Sequence, residues 1–382
     1  MPFTKISEIG EFGLIEKLAK IVEPTERFTP QLEKGIGDDC AIIKLTDDRL
    51  QVVTTDLLIE HIHFDMLTTP LEHLGSKSIS VNVSDICAMN AKPQYAVVSI
   101  ALPQKISIEM MEALYKGMAK AAEEYGISIV GGDTSASSSG LVISVTLIGE
   151  TSPKKVTRRS GARVGNLVCV SGELGGSHAG LKVLMRERSM LLDHIKEDGT
   201  VDPKYQPDLA EYEAAVTKHL LPKARLDIVA LLEKRGVVPT AMIDISDGLA
   251  SEIKHICGQS GTGAALYEDK VPLLSEARHA ADEFEEEAIT YALFGGEDYE
   301  LLFTIAPEDA DKFVEGDDIK VIGEILPKEE SVKLLDIFGQ EMDLTKTTGY
   351  QHFIPHREDE HNHDDMEDSD DEEDVWGESE GN

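Results

Sequence analysis

The chain has 382 residues, 41% of them hydrophobic, and a formal net charge of −36. About 13 of the negative charges fall in residues 357–382, and the remaining body still carries roughly −23, a surface that repels nucleic acid and anionic lipid. Aromatic residues make up only 5%, and the sole tryptophan, Trp376, lies in that acidic stretch, so extended stacking on nucleic-acid bases is excluded as a main activity.

Residues 6–21 carry apolar side chains at helical spacing and predict a short amphipathic helix. Residues 51–56 (QVVTTD) read as a strand ending in a carboxylate, and residues 74–90 (LGSKSISVNVSDICAMN) as a mostly buried helix. Residues 95–102 form a β-rich run, and residues 107–125 predict a helix closed by Gly126. Residues 127–130 read as a short buried strand ending at Gly131-Gly132-Asp133-Thr134, and residues 141–149 as another strand. A polar, basic stretch with proline and glycine at 151–165 marks a domain boundary. Beyond it come a strand at 166–171, a glycine-rich turn and helix at 173–184, and a polar insertion at 185–217. A strand at 241–246, a helix at 248–258 and strands at 300–305 and 319–325 follow. The pattern is an interleaved α/β (α+β) fold in two domains, residues 1–150 and 151–355, with a disordered acidic tail at 356–382.

The four cysteines are widely spaced without a CxxC, as expected of reduced packing thiols in a cytoplasmic protein. No apolar run reaches the length of a membrane span, and the N-terminus lacks a signal-peptide pattern.

Aspartates recur in five motifs read as turns or strand ends: GIGDD (35–39), TTD (54–56), NVSD (82–85), GGDT (131–134) and DISDG (244–248). Singly, an Asp beside Gly is usually a turn former. Together, carboxylates converging without lysines would raise one another's pKa, a difficulty that divalent cations remove. Mg²⁺ takes oxygen ligands shared between carboxylates and substrate phosphates, so the chemistry implied is phosphate handling with several metal ions. His61 and His63 lack a third ligand for zinc, and there is neither a Walker P-loop nor a protein-kinase motif set. Gly131-Gly132 and the loop at 172–176 are the phosphate-cradle candidates, and Arg158-Arg159 is the basic pair between the domains.

The ordered series GIGDDCA, TTDLLIEHIHF, LGSKSISVNVSDICAMNAKP, VGGDTS, RSGARVG, SGELGGSHAGL, IDISDGL and GGEDYELLF resembles the thiamine-monophosphate kinase family, within the aminoimidazole-ribonucleotide-synthetase-like superfamily. The resemblance implies an N-terminal sheet that pairs with its copy in a homodimer, and ATP held between the two domains. By motif position, Asp39, Thr54, Thr55, Asp56, Asp85, Asp133, Asp244 and Asp247 would hold several Mg²⁺ ions. Tyr115, Gly132, Asp133, Arg159 and Ser246 would contact ATP, and His63 and Glu297 thiamine monophosphate. At the position where the family often has an aromatic residue, this chain has Thr347, so a stacking wall for the thiamine rings is missing or is supplied by Tyr350 or Phe353. No general base is expected, because the attacking phosphate oxygen is already ionised. The rivals are another ATP-dependent synthetase of the superfamily and a non-catalytic metal-binding or interaction protein. A selenophosphate-forming enzyme would want a reactive cysteine near the N-terminus, and residues 1–35 contain none.

Overall fold

Residue patterning sets two mixed sheets in this computed structural model, which describes residues 5–195 and 205–346. A first unit contributes only a 3₁₀ turn (Ile6–Glu8) and helix α1 (Gly10–Val22), which buries none of its residues. The remaining described residues form the second unit, and all that follows concerns it.

The first sheet is built from β1 (Leu32–Lys34), β2 (Ala41–Lys44), β3 (Leu50–Ile59), β4 (Lys92–Leu102), β5 (Ser128–Ala136) and β6 (Val142–Thr151). Their spatial order is β1-β2-β3-β6-β4-β5. Only β4 and β5 pair in parallel. Helices α2 (Leu71–Ala88) and α3 (Ile108–Tyr125) connect β3 to β4 and β4 to β5.

The second sheet uses β7 (Leu167–Ser171), β8 (Ala241–Asp244), β9 (Gly263–Tyr267), β10 (Leu301–Ile305), β11 (Ile319–Leu326), β12 (Val332–Leu335) and β13 (Glu341–Asp343). Its order is β13-β12-β9-β11-β7-β10-β8. Six helices accompany it: α4 (Gly176–Asp193), α5 (Glu213–Leu220), α6 (Leu226–Arg235), α7 (Leu249–Ser260), α8 (Ser275–Glu283) and α9 (Ala288–Phe294).

Helix α3 has the ends its sequence predicts. The Ser107 hydroxyl accepts from the Met110 amide at 3.3 Å, and Gly126 closes the helix in the left-handed region, at φ 68°. Helix α2 is buried along most of its length, so its small and polar residues need partners inside the protein. Ser78 donates to the Gly75 carbonyl at 2.8 Å, Asn82 to the Ser78 carbonyl at 3.1 Å, and Ser80 shares a hydrogen bond with the Tyr125 hydroxyl at 3.2 Å. Its apolar residues Ile79, Val83 and Ile86 join a core that continues into Met242 and Phe303 of the second sheet.

The structure revises two of the sequence expectations. Residues 128–136 form one continuous strand, so Gly131-Gly132-Asp133-Thr134 lies mid-strand and not in a turn. That strand is exposed along nearly its whole length, because it is the sheet edge, whereas the sequence reads as a short buried strand. Gly132 is required by the pairing itself: a Cβ there would stand 1.7 Å from the Val98 carbonyl oxygen. The insertion at 185–217 continues α4 to Asp193 and resumes in α5; residues 196–204 lie outside the described residues, as do the acidic tail, Thr347, Tyr350 and Phe353.

Helices α2 and α3 cross at glycines on both sides. A Cβ on Gly75 would meet the Leu114 carbonyl oxygen at 1.9 Å, and one on Gly117 the Glu72 carbonyl oxygen at 1.9 Å. Backbone cannot yield as a side-chain tip can, so Gly75→Ala should lower unfolding stability by about 3 kcal/mol. Urea denaturation checks it, and a loss too small to measure would show that the two helices separate easily.

Candidate active site

Four elements bring aspartates to one place. Asp39 precedes β2, Asp56 sits in β3, Asp85 lies in the last turn of α2, and Asp244 ends β8. Ligand oxygens of Asp39, Asp85 and Asp244 lie within 4.8 Å of one another. The Thr54 hydroxyl donates to Asp85, and the Ser84 hydroxyl donates to Asp244 Oδ2 at 2.6 Å. Arg159 brings the cation: its Nη2 and Nε donate to Asp39 Oδ1 at 2.7 and 3.1 Å, and its backbone amide donates to Asp38 at 3.1 Å. Asn82 accepts from the Asp56 amide at 3.2 Å and ties β3 to α2.

Burial dominates the electrostatics. It pushes the Asp39 carboxyl up to about 7 although the Arg159 charge pulls it down. Burial raises Asp56 and Asp244 to about 6 each, and it lifts Asp85 well above the usual range, with the charges of Asp56 and Asp244 adding to the effect. Asp38, Asp39 and Asp56 each keep a buried Oδ2 without a hydrogen-bond partner among the described residues. Acceptor-only oxygens in that state suit hard cations such as Mg²⁺, which bind through oxygen.

The reading of these aspartates as turn and strand-end residues holds for Asp39 and Asp244 but not for Asp56, inside β3, or Asp85, on a helix. Thr55 is turned away from the cluster. A strand alternates faces, and the Thr55 hydroxyl donates to the Val145 carbonyl at 3.0 Å and accepts from Thr146 at 3.1 Å. Asp133 is exposed on edge strand β5, where its carboxylate accepts from the Thr134 amide at 2.9 Å. Tyr115 is exposed on α3. Asp247 and Ser246 follow β8; the Asp247 amide donates to buried Glu252 at 3.1 Å, and the Ser246 carbonyl accepts from the Glu297 amide at 2.7 Å.

The segment GGEDYE runs beside Ser246 in strained backbone, with Glu297 and Tyr299 in the left-handed region at φ 57° and 51°. Each of its carboxylates has its own partners. Asp298 accepts from the Gly175 and Ser177 amides at 2.7 and 3.1 Å, so the N-terminal amides of α4 serve an internal carboxylate and the loop at 172–176 is no open phosphate cradle. Glu300 accepts from Ser171 at 2.6 Å and Lys218 at 2.8 Å, and pairs with Arg225. Glu297 faces the Lys77 ammonium at 3.0 Å and the His219 ring at 3.4 Å. Burial raises the Glu297 pKa, but the Lys77 ammonium outweighs it and holds the group below its ordinary value; the His219 ring, pushed down to about 3 by burial, stays neutral beside it. His63 and Glu297, distant in sequence, also come within electrostatic reach of each other. The sequence reading missed Lys77, Ser84, His219 and Glu252; Lys77 and Ser84 stand seven residues apart on α2, a spacing that puts them on one helix face.

Models of the AIR synthase related protein N-terminal and C-terminal domains match residues 37–151 and 163–334. The thiamine-monophosphate kinase of Aquifex aeolicus is 38% identical over 312 residues, covering 81% of this chain and 90% of that protein. The chain belongs to the thiamine-monophosphate kinase family. The family member from Bacillus subtilis is 31% identical over 352 residues, covering 90% of this chain and all, 100%, of that protein. The solved structure of AaThiL complexed with AMPPCP and TMP superposes with a TM-score of 0.76 at 34% identity, covering 92% of this chain and 100% of the other.

A carboxylate whose folded-state pKa is raised favours folding below its unfolded value, near 4, and loses that contribution as pH rises through the folded value. Buried His178 and His255, held down to about 4, and His219, held down to about 3, add stability as pH rises toward 6.5, so the carboxylate effect is read as a difference between proteins. In EDTA, the Tm of the wild type minus that of Asp244→Asn should fall as pH rises from about 5 to 7, and scanning fluorimetry checks it; a difference independent of pH would mean Asp244 is not protonated in the folded state.

Proposed function

We propose that the protein transfers the γ-phosphoryl group of ATP to the phosphate of thiamine monophosphate, giving ADP and thiamine diphosphate. Family membership over most of the chain supports the activity, and the observation that carries the chemistry is the convergence of Asp39, Asp85 and Asp244, with buried unpartnered oxygens on Asp39 and on Asp38 and Asp56.

The reaction brings two anions together. Asp39, Asp56, Asp85 and Asp244 would hold Mg²⁺, with Asp133 and Asp247 belonging to the set on this reading; the metal would supply neutralisation of phosphate charge. The chain's own residues do the positioning. Arg159, anchored on Asp39, offers a guanidinium to the triphosphate, and Thr54 and Ser84 orient two of the carboxylates. Ser246, Gly132 and Tyr115 are the remaining ATP contacts on this reading. A phosphate-monoester oxygen of the substrate attacks the γ-phosphorus while the bond to the β-γ bridging oxygen breaks. That nucleophile needs no general base, since it is ionised at neutral pH, and catalysis rests on alignment and charge neutralisation. His63 and Glu297 face the thiamine moiety.

Two further expectations belong to this reading. The module boundary falls within residues 151–165, between the last strand of the first sheet and the first of the second. A second copy covers edge strand β5, whose Val130 is 60% exposed; such an edge invites pairing. ATP chemistry and four buried, unbridged cysteines agree with a cytoplasmic site. Among the described residues no helix is long and apolar enough to cross a membrane.

Purified protein with MgATP should convert thiamine monophosphate to the diphosphate; no diphosphate at millimolar substrate would sink the assignment. Asp85→Asn should reduce turnover by about three orders of magnitude and, in EDTA at neutral pH, raise Tm, because a carboxyl whose ionisation burial disfavours gives way to a neutral amide of the same shape. A variant that both turns over normally and melts unchanged would contradict the role of Asp85. Val130→Lys should shift the protein from dimer to monomer in light scattering, and an unaltered mass would place the contact elsewhere.

A further inference from the structure

Lys77 is the most deeply buried ion-pairing lysine in the described chain, with a side chain 2% accessible. Its ammonium donates to Glu297 Oε2 at 3.0 Å and to the His219 carbonyl at 3.3 Å. The His219 ring lies against the same Oε2 at 3.4 Å and is itself held by Ser177 at 3.1 Å. Both contacts to Glu297 thus use one carboxylate oxygen; Oε1 has none among the described residues, and 27% of the side chain remains accessible.

A buried ion pair is a poor device for stability alone, since apolar residues of similar volume often serve as well. Here it does two things that an apolar pair would not. It keeps Glu297 ionised in a place where burial disfavours charge, and it fixes which oxygen faces outward. The backbone around Glu297 is left-handed and its amide is already committed to Ser246, so the side chain is anchored at both ends.

The placement of the anchor matters as much. Lys77 and Ser84 lie on one face of α2, two turns and about 10 Å apart along the axis. Lys77 holds Glu297, Ser84 holds Asp244, and Asp85 follows directly. A single buried helix therefore sets the spacing between the carboxylate cluster and Glu297.

We propose that Lys77 and His219 are positioning residues that anchor Oε2 of Glu297 and present Oε1 to the cationic, nitrogen-bearing ring system of the phosphate-acceptor substrate, at a distance from the carboxylate cluster set by helix α2. The proposal rests on the reading of Glu297 as a contact to thiamine monophosphate.

The test compares wild type, Lys77→Met, Lys77→Arg, Glu297→Gln and the Lys77→Met/Glu297→Gln pair, measuring KM for thiamine monophosphate and for MgATP separately. Lys77→Met should raise KM for thiamine monophosphate about tenfold or more while KM for MgATP stays within about twofold, and Lys77→Arg should recover part of the loss. Glu297→Gln should raise the same KM, and the double variant should be no worse than Glu297→Gln, because the two residues act as one unit. If Lys77→Met does not fold, His219→Gln carries the same expectation at about threefold. Parallel rises in both KM values, or additive effects in the double variant, would overturn the proposal while leaving the proposed activity standing. An unchanged KM for thiamine monophosphate in Glu297→Gln would remove the substrate role of Glu297 and the proposal with it.

Discussion

A carboxylate taken out of water is expensive unless a proton, a cation or a set of donors compensates it. Among the described residues, this protein gathers Asp39, Asp85 and Asp244 within a few ångströms, adds Asp56 nearby, and gives them a single close guanidinium, that of Arg159. The protein's own groups do not balance the set. Burial and the neighbouring carboxylates disfavour the charged forms, which pushes the carboxyls up and favours protonation, and the unpartnered oxygens of Asp39 and Asp56 remain available to metal. The arrangement is held by the fold against its own electrostatics, a common condition at sites built to handle phosphate.

What holds it is helix α2. It is buried on nearly all sides, so it has no freedom to shift, and its contact with α3 is tight enough to need glycine on both helices. Ser78 and Ser80 are satisfied by Gly75 and Tyr125, and three of its polar side chains reach out to the elements around it: Asn82 to the Asp56 amide, Ser84 to Asp244, Lys77 to Glu297. One rigid element thereby sets the register of β3 in the first sheet and of β8 and the GGEDYE segment in the second.

The GGEDYE segment shows how neighbouring carboxylates acquire different roles from their surroundings. Asp298 caps α4 and Glu300 joins Lys218 and Arg225, and both are consumed by architecture. Glu297 is the one with an oxygen unaccounted for among the described residues, within electrostatic reach of His63 and tied through its amide to Ser246. Sequence adjacency says nothing of this division, because in strained backbone successive side chains leave in unrelated directions.

The family, the α/β class and most element positions were legible in the sequence. Hydrophobic period sets helix and strand locally, a serine and a glycine stop α3 where they stand, and motif order is a property of the chain itself. The resemblance named Asp39, Asp56, Asp85 and Asp244 together with Thr54, Thr55, Asp133 and Asp247, and could not say which of the eight the fold would bring together. Their distances were not legible, and neither were the faces: Thr55 is chemically the equal of Thr54, but strand alternation sends its hydroxyl to Val145. The glycine pair at 131–132 has the composition of a turn, yet pairing with β4 extends it into a strand. Lys77 looks like any lysine on a helix until the second sheet packs against that helix and removes its water. Tertiary structure alone decided these points, because burial, face and partner depend on contacts between residues far apart in the chain, and no local pattern encodes which side of a strand or helix will be covered.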